Sequence, residues 1–184
     1  MFSTLRVTLV INKIRAQLVQ NASSILRPPM HFIPQVVQKK IMLDSLLLVF
    51  KEALEDGDFE FLNDKWLKVE IKDMQLRWFI SYQHGKLVVA NKSVQDDVSF
   101  SGNLNDLVLI AGRKEDPDTL FFQRRLIIEG DTELGLEVKN LMDSIDLEQL
   151  PKPMQILLHQ LADFVHKGMS VPNTEHEVIH AYSN

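Results

Sequence analysis

Cysteine is absent from this chain of 184 residues, so disulfides, thiolate metal ligands and a cysteine nucleophile are all excluded. A cysteine-free composition suits a reducing compartment. Long hydrophobic runs are also missing: no apolar stretch approaches the roughly 20 residues that a membrane-spanning helix needs. We therefore expect a chain that does not cross a bilayer.

Acidic residues are missing from the first 43 positions, although the chain as a whole carries a net charge of -5. That segment instead contains six basic residues: Arg6, Lys13, Arg15, Arg27, Lys39 and Lys40. A basic, apolar-rich arm on an acidic body favours an anionic partner, either a lipid surface or nucleic acid. The alternative is a basic helix that lies on the acidic surface of the same protein, and the composition leaves both open.

Motifs that carry catalysis are also absent. The chain has no G-x-x-x-x-G-K-[ST], no G-x-G-x-x-G and no G-x-S-x-G. Its main acidic cluster consists of Asp116, Asp118, Glu129, Asp131 and Glu133. These residues fall at predicted turns and helix starts, where they favour capping and solubility, and we expect Arg124 and Arg125 to pair with them. The sequence therefore predicts a protein that is not an enzyme and has no cofactor.

One string matches a metal motif. Residues 176–180, HEVIH, fit the H-E-x-x-H pattern of zinc proteases. A catalytic zinc needs a third protein ligand, normally further along the chain, and only four residues follow this string. We therefore predict no metal site here. The residues 169–184 are expected to form a flexible tail.

Apolar residues at helical spacing predict a first helix over residues 2–20. The stripe is too short at VTLVI for a secretory signal, and it favours an amphipathic helix at a membrane interface. The predicted membrane-contact residues are Arg6, Val7, Ile11, Lys13, Ile14, Arg15 and Leu18. Packing of this helix on the core is the alternative. Pro28, Pro29 and Pro34 are predicted to break the helical pattern.

A second helix is predicted from Gln35 to about Glu55, ending at Asp56-Gly57. Period-2 alternation between 59 and 101 then predicts four or five short strands in an antiparallel meander with one polar face. Further on, the sequence predicts a helix over 104–113 with Asn103 as N-cap, a strand at 125–129, and a helix that Asp131 caps. A last helix follows Pro151, and its wide apolar arc suits either a cavity wall or a dimer interface.

Three segments carry a resemblance to a known family: DPDTLFFQRRLIIEGDTELGLEVKNLMD at 116–143, ALEDGDFEFLNDKW at 53–66, and residues 160–165. They resemble the sterol carrier protein 2 (SCP2) lipid-binding domain, especially the bacterial accessory factors of ubiquinone biosynthesis. The resemblance spans about residues 45–168. It implies an α+β fold, with an antiparallel-dominated curved sheet of about five strands backed by helices around a hydrophobic tunnel. The expected organisation is a basic amphipathic arm at 1–40, the lipid-binding domain at 41–168 and the tail.

The resemblance also implies a non-catalytic carrier in the oxygen-independent route to ubiquinone. Its expected ligands are a polyprenyl quinone precursor or a phospholipid, and its expected partners are proteins of the UbiU and UbiV type. The expected location is the cytoplasm, peripheral to the inner membrane. A homo-oligomer remains open, nucleic acid is not expected, and a non-catalytic scaffold for partner proteins is the alternative function.

Apolar side chains of the predicted sheet and helices are the candidates for the lipid cavity. They are Trp78, Ile80, Phe100, Phe121, Phe122, Leu126, Met142, Leu157 and Leu161. For each of them, ordinary core packing is the alternative.

Overall fold

The computed structural model describes the backbone of residues 2–93 and 95–170 and the side chains of 7–8, 10–30, 32–93 and 95–170. The helices are α1 (Phe2–Gln20), α2 (Ala22–Phe32), α3 (Gln35–Val49), α4 (Lys51–Asp56), α5 (Leu104–Ala111), α6 (Pro117–Phe122), α7 (Thr132–Asp143) and α8 (Lys152–Met169). The strands are β1 (Leu67–Ile71), β2 (Leu76–Gln83), β3 (Lys86–Ala90), β4 (Val98–Gly102) and β5 (Leu126–Gly130). Short 3-10 turns lie at Glu60–Leu62 and Leu147–Gln149.

The five strands form one sheet in the order β3-β2-β1-β4-β5. All neighbouring pairs are antiparallel except β1 and β4, which run parallel with Leu67 opposite Val98. The predicted α+β class with an antiparallel-dominated sheet is confirmed, whereas the simple meander is wrong at β4. After β3 the chain crosses to the far side of β1, and alternation within a strand carries no information on which neighbour the strand takes.

The core lies on the sheet face that carries Trp78, Ile80 and Phe100. Leu62 and Leu120, each 0% exposed, close this core from the segments before β1 and before β5. Val138 and Leu141 pack α7 against it, and α3 adds half-buried apolar residues. Burial of this apolar surface is the main force that holds the helices on the sheet.

The N-terminal helices depart from the prediction in two places. Pro28 and Pro29 lie inside α2 instead of ending the helical pattern, and the chain turns only at Ile33 and Pro34. The Gln38 side-chain amide donates to the carbonyls of Met30 and Ile33, 3.0 Å each, and so satisfies the end of this helix. The helix predicted from Gln35 to Glu55 is divided at Phe50 into α3 and α4.

Aspartate side chains cap the helices that follow the strands. Asp131 accepts from the backbone amides at the start of α7, as predicted. Asp116 does the same for α6, a short helix that begins where the sequence predicted only the end of the preceding helix. At α5 Asn103 occupies the predicted N-cap position, but its side chain makes no capping hydrogen bond. The carboxylate of Asp73 accepts instead from Leu104 N at 2.9 Å, a contact between residues too far apart in sequence for any local pattern to predict.

The predicted pairing of Arg125 with the acidic cluster is also wrong. Its guanidinium Nε donates to Asp106 Oδ1 at 3.0 Å, and Nη2 bonds the same oxygen at 2.5 Å. Asp106 is 4% exposed, in the first turn of α5. This ion pair fastens α5 to the entry of β5.

Among the described residues, no helix is both long and apolar enough to span a bilayer.

Candidate lipid-binding groove

An apolar groove lies between α6, β5 and α7. Its volume is about 360 Å³, near the lower end of the roughly 300–1,000 Å³ of small-molecule sites. Phe121 and Phe122 form one wall, Leu126 and Ile128 the strand side, and Leu136 and Met142 the opposite wall. The groove opens to solvent, because Phe122 is 82% and Leu136 56% exposed.

Helix α6 positions the two phenylalanines. Asp116 and Pro117 start the helix, because the carboxylate accepts from two free amides and proline has its φ already set for a first turn. Leu120 is fully buried and anchors the helix, which leaves Phe121 44% exposed and Phe122 more so. The two rings stack edge to face, with centroids 6.0 Å apart. Large apolar groups are thus held at the surface by a buried neighbour.

Two glycines on the groove lining allow close approaches, Gly135 between α7 and β5 and Gly130 between the end of β5 and the start of β4. A Cβ added at Gly135 would lie 3.1 Å from Ile128 Cγ2, so this position brings the helix against the strand. Gly130 has φ +112°, and a Cβ there would lie 2.4 Å from the Asp97 carbonyl oxygen. Any L-residue at Gly130 would therefore be strained and would clash with backbone.

An ion pair crosses the mouth of the groove. Lys139 Nζ on α7 lies 3.2 Å from Asp118 Oδ1 on α6 and 3.3 Å from Asp143 Oδ2. The hydrogen bond from Asp118, and then that from Asp143, raise the pKa of Lys139. These groups are solvent-exposed, so their effect on stability is small; they orient α6 relative to α7.

A second hollow of about 360 Å³ lies on the other side of the phenylalanines, toward Arg124 and Ile127. Phe121, Phe122 and Leu126 line both hollows. Rotation of the two rings would therefore change the volume on either side of them.

The sequence that forms this fold and groove is similar to a known protein family. Residues 43–143 match the model of the SCP-2 sterol transfer family. The chain belongs to this family. The matched span includes every strand and helices α5 to α7, and so contains the whole groove.

Relatives within this SCP-2 family are named for ubiquinone synthesis. The chain is 50% identical over 167 residues to the ubiquinone biosynthesis accessory factor UbiT of Escherichia coli strain K12, covering 90% of this chain and 95% of that protein. The same figures hold for UbiT of E. coli O157:H7. A solved structure, the UbiJ-SCP2 ubiquinone synthesis protein, matches with a TM-score of 0.49 and 15% identity, covering 59% of this chain and 96% of that one.

The predicted cavity residues occupy three different places in this SCP-2 protein. Four of them line the groove: Phe121, Phe122, Leu126 and Met142. Three are plain core: Trp78, Ile80 and Phe100, with 6%, 2% and 7% exposure. Leu157 and Leu161 lie on the surface of α8, 64% and 43% exposed, and line no part of the groove.

Sequence reasoning missed several lining residues, among them Ile128, Gly135 and Leu136. Leu136 carries a usable signal, because it is apolar but lies off the stripe by which α7 packs on the core. An apolar residue beside the core stripe of an amphipathic helix indicates a second apolar contact.

Helix α1 combines both interpretations of the arm. Its Ala16 and Val19 are buried, and the Arg15 guanidinium carbon lies 5.9 Å from the centroid of the Phe164 ring on α8. The predicted contact residues Val7, Ile11, Ile14 and Leu18 are 46–55% exposed, and Lys13 is exposed as well. The side chain of Arg6 lies outside the described part. The arm therefore packs on the body with one face and leaves an apolar stripe in solvent.

Metal chemistry finds no support in the described part of the chain, where no group of three or more histidines, aspartates or glutamates could hold an ion. The HEVIH string at 176–180 lies outside the described residues.

Proposed function

We propose that this SCP-2 protein is a non-catalytic, lipid-binding accessory factor of ubiquinone biosynthesis. The observation that carries the proposal is the apolar groove between α6, β5 and α7. The 50% identity of the chain to UbiT supports the assignment to ubiquinone biosynthesis. The proposed ligand is a polyprenylated quinone precursor or a membrane lipid.

The energetic role of such a groove is to shelter apolar surface during transfer. Burial of apolar area is favourable by about 25 cal/mol per Å², so a prenyl chain outside the membrane requires an apolar host. A volume of about 360 Å³ is small for a complete polyprenyl tail. The groove therefore takes the ring and first prenyl units, or a short length of acyl chain.

The remaining parts of the proposal concern setting. Residues 1–40 act as the membrane-contact arm of a protein that works at the cytoplasmic side of the inner membrane, and 41–168 form the lipid-binding unit. The exposed apolar stripe of α1 and its basic residues support this division. Partners of the UbiU and UbiV type and the oxygen-independent route complete the proposal.

The proposed absence of catalysis rests on the arrangement of ionisable side chains in the lining of the groove. Asp131 caps α7, and Asp118 and Lys139 pair with each other. None of these groups is arranged as a nucleophile beside a base. A carrier requires no such group.

A matched pair of leucine variants tests the groove. Leu136 lines it at 56% exposure, whereas Leu157 has 64% exposure and lies elsewhere. We expect Leu136→Gln to lower the amount of lipid recovered from the purified protein several-fold, because a carboxamide in the wall must be desolvated by an apolar ligand. Leu157→Gln should leave recovery unchanged. The measurement is native mass spectrometry with solvent extraction.

Two results would overturn this assignment. Empty wild-type protein after purification from cells that make polyprenyl quinones would remove the carrier function. Loss of lipid in Leu157→Gln alone would move the binding site to α8.

The second candidate function is a scaffold for partner proteins. The specific observation in its favour is the apolar surface of α8, where Ile156, Leu157 and Leu161 are exposed. Under this alternative, Leu157→Gln would weaken co-purification of partner proteins and Leu136→Gln would not.

A further inference from the structure

A second cleft, distinct from the groove, lies between the start of α3, the start of β2 and the segment just after β3. Its volume is about 520 Å³, and it shares no lining residue with the groove. Carboxamides dominate its polar lining: Gln35, Gln38, Gln75 and Asn91. We call it the amide cleft.

The charge of the amide cleft is positive. Arg77 and Lys92 line it, and no carboxylate does. Across the sheet Arg77 stands opposite Glu70 in the strand register, but the ion pairs found among the described residues include neither Arg77 nor Lys92. Two cations without a counter-ion in one cleft favour an anionic ligand.

Hydrogen bonds hold the carboxamides in place. Asn91 Nδ2 donates to Gln35 Oε1 at 3.0 Å, which joins the end of β3 to the first residue of α3. Because the Gln35 oxygen is used as acceptor, its amide nitrogen remains as a donor toward a ligand. Gln38 uses both N–H groups of its amide on the carbonyls of Met30 and Ile33 and so offers no donor to a ligand. The Gln35 amide is thus the donor that is oriented before any ligand arrives, which lowers the cost of binding.

A third cation, the guanidinium of Arg27, reaches the rim. Arg27 on α2 donates to the side-chain oxygen of Gln75, one of the lining carboxamides. Guanidinium, ammonium and amide N–H groups together are the donors that proteins use for phosphate oxygens. A carboxylate ligand would use fewer of them.

Exposed apolar residues adjoin the cleft. Phe32 is 86% and Val36 78% exposed, on either side of the lining residues Ile33 and Gln35. A phosphate site bordered by uncovered apolar side chains matches the boundary between headgroups and acyl chains. Of the sources of phosphate, an anionic phospholipid fits this border best.

We propose that the amide cleft binds a phosphate group, with Arg77 and Lys92 as its cationic contacts and Gln35 as an amide donor. The group is a phosphate mono- or diester, carried by a lipid or free in solution. The site is independent of the groove, so either can fail without the other.

The test is vesicle co-sedimentation of the full chain with Arg77→Gln/Lys92→Gln. The matched control is Lys86→Gln/Arg124→Gln, which removes the same charge types at two exposed positions outside the cleft. Vesicles of phosphatidylcholine with phosphatidylglycerol supply a phospholipid of net negative charge, and vesicles of phosphatidylcholine with oleate supply a similar surface charge without an anionic phospholipid. We expect the cleft variant to bind the phosphatidylglycerol vesicles roughly tenfold more weakly than wild type, because it loses both cationic contacts to the lipid phosphate. The control should change by less than threefold.

A second arm titrates inorganic phosphate and pyrophosphate into each protein and follows the side-chain amide resonances of Gln35 and Asn91. Saturable shifts in wild type that the cleft variant lacks, without a vesicle effect, identify free phosphate as the source. The proposal is overturned if no saturable shifts are seen and the vesicle losses are not specific. Vesicle binding would then fall equally in the cleft variant and the control, or the cleft variant would lose binding equally to phosphatidylglycerol and oleate vesicles. Circular dichroism melting of each variant shows that it is folded.

Discussion

Among the described residues Asp106 is the acid with the least access to water, and its carboxylate forms an ion pair with Arg125. A buried charge without its partner costs several kcal/mol, because desolvation is no longer offset. The pair also connects the helix after β4 to the strand that lines the groove. A single side chain therefore supports the position of β5.

Replacement of Arg125 by methionine tests this connection. We expect Arg125→Met to lower the free energy of unfolding by about 3 kcal/mol, since Asp106 would keep its burial and lose both charge-assisted bonds. Arg124→Met, at the exposed neighbouring position, should change it by less than about 0.5 kcal/mol. Urea denaturation measures both. Equal effects of the two substitutions would contradict the role given to the ion pair.

Helices α1 and α8 meet through a glycine. A Cβ at Gly168 would lie 2.4 Å from Val19 Cγ2 and 2.8 Å from Val19 Cβ, so the two helices approach more closely here than any other residue permits. Arg15 contacts Phe164, and Val19 contacts Gly168 four residues further along both helices, so α1 and α8 pack in parallel. Asn105 Nδ2 secures the end of α1 by donating to the Val19 carbonyl at 2.9 Å.

Alanine at this glycine should have the opposite effect from alanine at an exposed helical glycine, where it stabilises by up to about 1 kcal/mol. We expect Gly168→Ala to destabilise the protein by about 1–3 kcal/mol, because the added methyl group overpacks the contact with Val19. Compared with wild type, the Gly168→Ala protein should show a larger increase in amide hydrogen exchange in α1 than in the sheet. Lys167→Ala, one residue earlier and exposed, serves as control. A stabilised Gly168→Ala protein would show that α1 yields at no cost.

At the scale of the whole molecule, the local pattern predicted the elements well and their arrangement less well. Alternation placed the strands, and the carboxylate of Asp131 marked the start of α7 correctly. The parallel contact of β1 with β4 was beyond reach, because no local pattern encodes it. Trp78 and Ile80 were predicted as cavity residues because a core side chain and a cavity side chain have the same apolar alternation. Leu157 lies outside the groove, and the wide apolar arc of α8 does not indicate what covers it.

The membrane contact proposed for the arm depends on the whole protein, so it is tested on the full chain. Ile11 and Ile14 are about half exposed on the face of α1 that does not pack on α8. We expect Ile11→Gln/Ile14→Gln to weaken binding to anionic vesicles about tenfold or more, because two apolar side chains no longer enter the interface. Ile156→Gln/Leu157→Gln is the control, since it removes two exposed apolar residues that lie on α8, outside the arm and the groove. Unchanged vesicle binding by the double variant would remove the arm from the membrane contact.

The groove is built entirely from residues between 117 and 142, in three consecutive elements. Its contacts are therefore local in sequence, and such contacts form early because little loop entropy opposes them. One consequence concerns variation: the ligand preference can change through substitutions in a single short segment, while the arm and the amide cleft keep their sequences. The groove is in this sense a cassette, transferable between related scaffolds by exchange of one contiguous stretch of chain.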